Sequence, residues 1–474
     1  MVVVLGSIMS VLDTTIVNVA LDSLSRGFNS SIGDIQWVVT GYLLSLAAVI
    51  PVTGWAARRF GARRLYLLSI VLFTGGSVLC GLAWSTGSLV FFRVLQGVGG
   101  GLILPIGQMI LARAAGPQRM GRLMSVISIP VVMAPIVGPT LGGLLLEHLG
   151  WRWIFFVNIP VGIAALVLAL RQLPADAGSR EEAGRLDLAG LALLATGLVA
   201  ITYGLAETGT ASLVSGRVGV PLLAGAALTV AFVVRALRVD RPLLDVRLYA
   251  NRAFASASLT TFSLGAAVFG AMILMPLYFQ TVRGEDAVST GLLLAPQGIG
   301  VAVAMFLSGR AADRLGGGRV ALAGVLVTAA ATVPFALFGS ATSYWVIGGA
   351  MVVRGLGIGM AFLPAMAAAF AAMTPAQIPD ATPQLNVLQR VGGSIGTAIL
   401  AVVLQGHIDR LGAPTAGGVA HAFRTTYWWA VSITLLAAFP AFVLVRAERA
   451  ARRRAAEAPP AGAVVEVAPA GAAS

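Results

Sequence analysis

Long apolar stretches recur along the chain, separated by short segments that carry most of the charged residues. An α-helix needs about 20 apolar residues to cross a bilayer. The pattern therefore predicts an all-α polytopic membrane protein with about 14 transmembrane helices. They are expected near residues 2–24, 35–57, 65–85, 88–112, 122–146, 153–171, 187–206, 218–238, 253–280, 288–309, 320–340, 343–364, 385–405 and 425–446.

Composition excludes several classes of protein. The chain is 58% hydrophobic and 11% charged over 474 residues, which is atypical of a soluble protein. Its net charge of +13 is spread over short loops, so a nucleic-acid-binding domain is not indicated. The single cysteine, Cys80, rules out an intrachain disulfide, and the three histidines have no metal-ligand spacing.

Arginines are distributed unequally between the two sets of loops. All 32 basic residues are arginine, and 23 of them fall on one side of the predicted membrane, against six on the other. Loops rich in Arg face the cytoplasm in membrane proteins. We therefore expect both termini to be cytoplasmic, with residues 448–474 forming a disordered basic, Ala- and Pro-rich tail.

Two similar loops indicate an internal repeat. The segment Gly54–Arg64 and the segment Gly309–Arg319 share the same spacing of Gly, Ala-Ala, Arg and Gly. Matching loops at corresponding positions are typical of transporters built from two related bundles. We predict six-helix bundles at 1–172 and 253–447, joined by a linker with two extra helices at 173–252. The residues expected to act as conformational-switch loops are Gly54, Arg58, Gly61, Arg64, Gly309, Asp313, Arg314 and Gly316.

A glycine- and proline-containing stretch interrupts the fifth apolar segment. It reads Gly138-Pro139-Thr140-Leu141-Gly142-Gly143, and the run Trp151–Pro160 follows it. Proline removes a backbone donor, and glycine lets another backbone approach closely. Such a helix is expected to be a moving or tightly docked part of the protein.

Several motifs together resemble the major facilitator superfamily, specifically its 14-span drug:proton antiporters. Leu12–Leu21 is similar to the helix 1 signature of that branch, and Gly54–Arg64 is similar to the superfamily's hallmark loop. Arg93–Gly97 looks like the helix 4 motif, Gly138–Gly143 resembles the antiporter motif, and Trp151–Pro160 is typical of the 14-span branch. The resemblance covers nearly the whole chain except the tail.

The resemblance implies roles for particular residues. Gly138, Pro139, Gly142 and Gly143 would form the gating, or antiporter, motif of an exporter. The chain departs from the family pattern at Arg58, where the hallmark loop usually has an acid, and Asp22 stands where the family often has proline. Asp313 keeps the acid in the second half.

Charged residues inside the predicted spans are candidates for chemistry. They are Asp13, Arg93, Arg354 and Arg390. A charge at mid-bilayer costs roughly 2.5–3.5 kcal/mol on insertion scales, so such residues usually pair, titrate or face a cavity. Asp13 with Arg93 is expected to couple proton movement to transport. A static Asp13–Arg93 bridge between helices 1 and 4 is the alternative, and an axial offset of ~8 Å is expected between the two residues.

Polar, aromatic and basic residues at plausible cavity positions are the substrate-binding candidates. They are Asn18, Trp37, Tyr42, Gln96, Gln108, Phe262, Phe269, Gln297, Arg354, Asn386 and Arg390. The acid Asp13 favours a cationic substrate, whereas the two arginines of the second half favour an anionic one. The sequence leaves both open.

The expected function is a proton-coupled efflux transporter that exports amphipathic drugs or related small molecules by alternating access. It would lie in the bacterial inner membrane as a monomer, without a cofactor and without enzymatic activity. Gly392–Gly396 matches the G-x-S-x-G pattern of hydrolases but lies in an apolar helix, so it predicts close helix packing. A dedicated exporter of one metabolite, antibiotic or lipid-like compound remains an alternative, as does a non-transporting receptor.

Overall fold

The computed structural model describes residues 2–115, 137–138, 140–174, 184–208, 215–410 and 415–457, and these ranges are predominantly α-helical. Within them, 13 helical segments are long and apolar enough to cross a bilayer. The predicted all-α polytopic fold is therefore confirmed. Most of the span predicted at 122–146 lies outside the described residues.

The first half of the chain forms a bundle of helices connected by short turns. A 3-10 turn at Ile50–Val52 includes Pro51 and joins two helices into one long span. Asn29 ends the second helix in the left-handed conformation, and the Ser31 hydroxyl caps the third. The helices are α1 (Val2–Val19), α2 (Leu21–Phe28), α3 (Ile32–Val49), α4 (Thr53–Phe60), α5 (Ala62–Gly81), α6 (Thr86–Ala115), α7 (140–148), α8 (Trp153–Phe156) and α9 (Asn158–Gln172).

The inserted pair and the second half continue the same pattern. The inserted pair consists of α10 (Leu188–Glu207) and α11 (Gly216–Arg238), which pack against each other. The second half contains α12 (Arg252–Met272), α13 (Leu274–Thr281), α14 (Ala287–Leu315), α15 (Gly317–Thr332), α16 (Tyr344–Ala371), α17 (Ile378–Asp409), α18 (Ala416–Leu436) and α19 (Ala438–Glu457).

Helices α17 and α19 extend beyond their predicted spans. The sequence predicts a span at 385–405, but α17 begins at Ile378, before Pro379 and Pro383. Proline in the first turn of a helix removes no intrahelical hydrogen bond, so Pro379 starts the helix and does not break it. At the other end, α19 continues to Glu457, into the segment predicted to be a disordered tail, because Ala and Arg are strong helix formers.

The predicted internal repeat is visible in the backbone. Gly61 joins α4 to α5 with φ 89° and ψ 144°, and Gly316 joins α14 to α15 with φ 98° and ψ 141°. Side chains with a Cβ rarely adopt such positive φ values, so glycine is required at both turns. The helices around them also pack alike: α6 contacts α3 and α5, as α16 contacts α14 and α15.

The two halves meet at the end of the helices that carries Arg58–Arg64 and Arg310–Arg319, called here the arginine-rich end. One hydrophobic core there combines Ala56 and Met109 of the first half with Met366, Phe370 and Ile378 of the second. At the opposite end, separate cores lie within residues 12–155 and within residues 271–430. Across the described residues, the halves therefore converge at the arginine-rich end.

Close packing between α12 and α17 depends on glycines. A Cβ at Gly392 would lie 2.2 Å from the Phe262 carbonyl oxygen, and one at Gly396 would lie 2.0 Å from the Ala266 carbonyl oxygen. Both distances are far below van der Waals contact. The prediction that the Gly392–Gly396 segment packs helices is confirmed.

Asp187 links the two helices of the inserted pair, α10 and α11. Its Oδ1 caps α10 by accepting from the Gly190 N–H at 2.9 Å and pairs with Arg235 Nη2 of α11 at 2.8 Å. Desolvation acts to raise the pKa of Asp187, but the hydrogen bonds from Arg235 and Gly190 outweigh it, and the pKa is lowered below its ordinary value. The ionised carboxylate is therefore the form that stabilises the pair.

We expect Asp187→Ala to lower the free energy of unfolding by about 1–2 kcal/mol, since the helix cap and the ion pair are both lost. Asp187→Asn should cost less because its amide oxygen can still cap the helix. The pKa of Asp187 is lower in the folded protein than in the unfolded chain, so its ionised form contributes its full stabilisation above the unfolded-state pKa. This stabilisation is lost as the pH falls through the folded-state pKa. In thermal unfolding of the detergent-purified proteins, the wild type should be more stable than Asp187→Asn at neutral pH. This difference in stability should disappear in acid.

Candidate functional site

Asp13 lies in the middle of α1 at the centre of a buried polar cluster. Arg93 Nη1 of α6 donates to Asp13 Oδ2 at 2.5 Å, and both side chains are 0% exposed. Gln96, one turn further along α6, and Asn158, the first residue of α9, each donate to Asp13 Oδ1 at 2.9 Å. Ser77 Oγ of α5 accepts from Gln96 Nε2 at 2.6 Å. Four helices therefore supply one hydrogen-bonded network around a single carboxylate.

The guanidinium of Arg93 is held on several sides. Its Nε donates to the Val38 carbonyl of α3 at 3.1 Å, and its Cζ lies 4.1 Å from the centre of the Tyr42 ring. Nη1 also donates to Gln96 Oε1 at 2.8 Å, whereas Nη2 has no hydrogen-bond partner among the described residues. These contacts replace most of the hydration that the charge would have in water.

Side chains of α6 and α9 surround the carboxylate of Asp13. Three of them donate hydrogen bonds to its two oxygens. Burying both ions costs several kcal/mol each, so the attraction between them is needed to retain either in the interior. The Arg93 guanidinium reaches Asp13 directly. Both the proton-coupling role and the static bridge are compatible with this contact.

The glycines of the antiporter motif pack against α1 beside Asp13. A Cβ at Gly138 would lie 2.0 Å from Thr15 Oγ1, and one at Gly142 would lie 3.3 Å from Ile16 Cγ2. Gly143 is half-buried, and Pro139 lies outside the described residues. The predicted tight docking of this helix is therefore seen at Gly138, whose contact Thr15 lies two residues from Asp13 along α1.

We expect Gly138→Ala to destabilise the protein by about 1–3 kcal/mol, because the added methyl group must displace the β-branched Thr15 side chain. Gly142→Ala adds the same group where the nearest atom is 3.3 Å away, so it serves as the matched control. Thermal unfolding of the two purified variants measures the difference. Equal stability of both variants would contradict the assigned packing.

An ion pair connects the two halves at the arginine-rich end. Arg58 Nη1 of α4 lies 2.6 Å from Asp380 Oδ1 of α17, with 18% and 20% of the side chains exposed. Beside it, a Cβ at Gly54 would lie 2.3 Å from the Pro379 carbonyl oxygen. Arg58 thus departs from the family's usual acid but still makes a charged contact, with an acid supplied by the other half.

The remaining switch-loop residues lie near this end. Arg64, Arg314 and Gly61 are exposed or half-exposed, and Gly309 is buried in α14. The side chain of Asp313 lies outside the described part of the structure. Nearly two turns deeper along α17, Asn386 Nδ2 donates to Gln108 Oε1 of α6 at 2.7 Å, a second polar contact between the halves.

The substrate-binding candidates are dispersed. Tyr42 is fully buried beneath Arg93, and Gln96 belongs to the Asp13 cluster. Asn18 is exposed, and Trp37, also exposed, stacks on Tyr203 of the inserted pair with ring centres 6.1 Å apart. Contact of these residues with substrate stays a prediction.

The second-half candidates divide into buried and accessible residues. Arg354 is 2% exposed and donates to Gln297 Oε1 at 2.7 Å and Thr332 Oγ1 at 3.3 Å. The half-buried rings of Phe262 and Phe269 lie on α12. Arg390, in contrast, is exposed on α17.

Sequence reasoning missed three members of these contacts. Asn158 and Ser77 were not predicted as partners of Asp13, although Asn158 closes the Trp151–Pro160 run. Asp380 was not predicted either. Its signal was an acid in the one predicted inner loop, 365–384, that lacks arginine. Among the described residues, no group of three His, Cys, Asp or Glu could hold a metal ion.

Comparison with known proteins agrees with this architecture. Residues 3–397 match the family model of the Major Facilitator Superfamily. The chain is 41% identical over 407 residues to the Multidrug resistance protein B homolog of Mycobacterium tuberculosis (strain ATCC 25618 / H37Rv), covering 85% of this chain and 75% of that protein. It is 32% identical over 403 residues to the Multidrug export protein EmrB of Escherichia coli (strain K12), covering 83% and 77%.

Solved structures share the fold at lower identity. The proton:xylose symporter XylE superposes with a TM-score of 0.62 at 16% identity, covering 92% of this chain and 93% of that structure. The likeness at this identity concerns the fold alone. The family match over most of the sequence, together with the two relatives, shows that this chain belongs to the Major Facilitator Superfamily.

Proposed function

We propose that the chain is a proton-coupled antiporter that exports amphipathic small molecules across the bacterial inner membrane by alternating access. The observation that carries the proposal is the fully buried Asp13–Arg93 ion pair, which places a titratable group between helices of one bundle. The names of the two relatives, a multidrug resistance protein and a multidrug export protein, support export as the direction.

Protonation of Asp13 would change the energy of this conformation. A neutral carboxyl loses the charge attraction to Arg93, and a protonated oxygen is a poorer acceptor for Gln96 and Asn158. The contacts that hold α1 to α6 and α9 would then weaken together. A proton that enters from outside and leaves inside could in this way drive the helices between two arrangements.

The driving force is sufficient for accumulation. One proton crossing the membrane gains about 2.3 kcal/mol per 100 mV, and one pH unit adds about 1.4 kcal/mol. Each 1.4 kcal/mol corresponds to a tenfold concentration ratio. One coupled proton per cycle therefore supports a substantial outward gradient of substrate.

Orientation follows from the arginines. With the arginine-rich end in the cytoplasm, as the positive-inside rule favours, both termini are cytoplasmic. The shared core and the Arg58–Asp380 pair then close the cytoplasmic side. This conformation corresponds to the stage at which substrate leaves and a proton enters.

Transport in proteoliposomes tests the proposal. A fluorescent amphipathic dye should accumulate against its gradient when a pH gradient is imposed, and a protonophore should abolish the accumulation. Protein-free liposomes are the control for passive redistribution of the dye. Accumulation that persists after the gradient is collapsed, or its absence over a panel of cationic, neutral and anionic dyes, would contradict proton-coupled export.

A further inference from the structure

Four charged side chains lie inside the spans predicted from the sequence, Asp13, Arg93, Arg354 and Arg390, and two of them neutralise each other. Asp13 and Arg93 form a direct ion pair at 2.5 Å, and neither side chain is exposed. A closed pair of opposite charges presents no net charge to a ligand. The acid that would favour a cationic substrate is thus already compensated in this conformation.

Arg354 is also withdrawn from the space between the halves. Its guanidinium is 2% exposed and donates to Gln297 and Thr332, both in the second half. Phe335 lies near it, with 6.0 Å between Cζ and the ring centre. Its contacts are therefore those of a packing residue within one bundle.

Arg390 is different from the other three. It lies 12 residues from the start of α17, or ~18 Å along the helix, which is about mid-membrane. Its guanidinium makes no hydrogen bond or ion pair with any residue that the structure describes, and its side chain is exposed. A charge at that depth is retained only where it meets water or a counter-ion.

The surroundings of Arg390 include residues of the first half and of the inserted pair. Tyr42 of the first half lies within electrostatic reach of the guanidinium. One turn away, Asn386 bonds to Gln108 and closes the contact between the halves. Arg390 therefore lies where α17 meets the first half and the inserted pair.

Apolar and weakly polar walls flank the guanidinium. A crevice beside it is lined by Ala47 of α3, Ile50 of the 3-10 turn that follows, Leu198 and Thr202 of α10, and Val387 of α17. The crevice has a volume of about 20 Å³, enough for a water-sized group, so an apolar body would lie along the aliphatic surface outside it. Guanidinium groups bind carboxylate, sulfonate and phosphate through paired hydrogen bonds.

We propose that Arg390 is an anion-binding subsite, which takes the carboxylate, sulfonate or phosphate group of an amphipathic compound whose apolar part lies against α3 and α10. The assignment rests on the proposed export function only for the statement that the bound compound is the one transported. The sequence left both cationic and anionic substrates open, and the proposed subsite selects anionic or zwitterionic amphipathic compounds.

Equilibrium binding in nanodiscs tests the subsite without a proton gradient. The probes are a ring-matched pair, 9-anthracenecarboxylate and the cation 9-anthracenylmethyl-trimethylammonium, followed by their fluorescence. The wild type should prefer the carboxylate. Arg390→Gln should weaken carboxylate binding about 10- to 100-fold, the range for hydrogen bonds to a charged group, and leave the cation unweakened. Arg390→Lys, which keeps the charge but not the planar fork, should fall between the two.

Arg217→Gln is the matched control, because it removes the same charge from an exposed position on α11 and should not change either affinity. Each variant must elute and unfold as the wild type does; if Arg390→Gln does not, Arg390→Lys carries the comparison. Unchanged carboxylate affinity in the variants, or equal loss for both probes, would overturn the proposal. Displacement of the carboxylate by phosphatidylglycerol, whose phosphate belongs to the same class, would support the subsite and identify a lipid as its occupant.

The two proposals fail separately. Since binding is measured at equilibrium with no gradient, an intact Arg390-dependent preference would persist even if pH-driven accumulation were absent. Conversely, proton-coupled transport of a cationic dye that is unaffected by Arg390→Gln, together with unchanged carboxylate binding, would remove the subsite and leave the export function standing.

Discussion

Asp13→Asn should abolish accumulation of substrate against its gradient while the protein still folds and inserts. The amide preserves the volume of the side chain and can still accept from Gln96 and Asn158, but it cannot carry a proton. In proteoliposomes with a gradient of one pH unit and no membrane potential, the wild type should reach an accumulation ratio of about ten per coupled proton. The variant should reach a ratio near one.

Asp13→Glu is the conservative control, since it keeps a titratable carboxylate and should retain part of the coupled flux. Asp13→Asn leaves Arg93 without a counter-ion, so lower thermal stability is expected, offset in part by its bonds to Val38 and Gln96. Folding is checked by elution profile and thermal unfolding. Normal pH-driven accumulation by a folded Asp13→Asn variant would favour the static bridge.

Removing either partner of the Arg58–Asp380 pair should open the arginine-rich end. The two side chains are about one-fifth exposed, between the surface and buried cases, so each loss is expected to cost the closed arrangement about 1–2 kcal/mol. That changes the ratio of closed to open molecules about 5- to 30-fold. Spin labels at the exposed positions Phe60 and Ala376 should report a larger population at longer distance in Arg58→Ala and Asp380→Asn.

The reversed pair, Arg58→Asp with Asp380→Arg, should restore the short distance because the attraction is re-formed with the charges exchanged. Arg59→Ala, which removes the same charge from an exposed neighbour, is the matched control. Distances that do not change in either single variant would show that the apolar core at this end closes the halves without the ion pair.

The sequence predicts most of the fold because hydrophobic length is a local signal. Twenty consecutive apolar residues identify a span wherever its neighbours lie, and Gly61 and Gly316 mark equivalent turns through their spacing alone. The ends of α17 and α19 were predicted less well. Prolines and charged residues there resemble loop signals, whereas their position within a helical turn decides the outcome.

The candidate site is predicted only in part because its contacts join distant segments. Asp13 and Arg93 stand out as charges inside apolar runs, so the sequence alone singles them out. Asn158 is 145 residues from Asp13, and Asp380 is 322 residues from Arg58. The sequence around a neutral amide or a loop acid contains no feature that indicates a partner so far away.

Substrate charge illustrates the same limit. From the sequence, Arg354 and Arg390 are equivalent arginines in apolar helices. Packing separates them, because Arg354 donates to Gln297 and Thr332 within its own half, whereas Arg390 is exposed beside α3 and α10. The sequence does not report how exposed each arginine side chain is. In the structure, exposure distinguishes Arg390, which a ligand can reach, from the buried Arg354.

Infrared difference spectroscopy of the protonated carboxyl stretch tests the central claim, that Asp13 binds and releases a proton during transport, most directly. On adding a transported substrate to the purified protein in lipid, we predict loss of a protonated-carboxyl band in the wild type and its absence from Asp13→Asn. This result follows if Asp13 releases its proton when substrate binds, so that the protein holds either a proton or a substrate molecule at each stage of the cycle. A wild-type spectrum identical to that of Asp13→Asn, under conditions in which the protein transports, would contradict the account and leave Asp13–Arg93 as a static bridge.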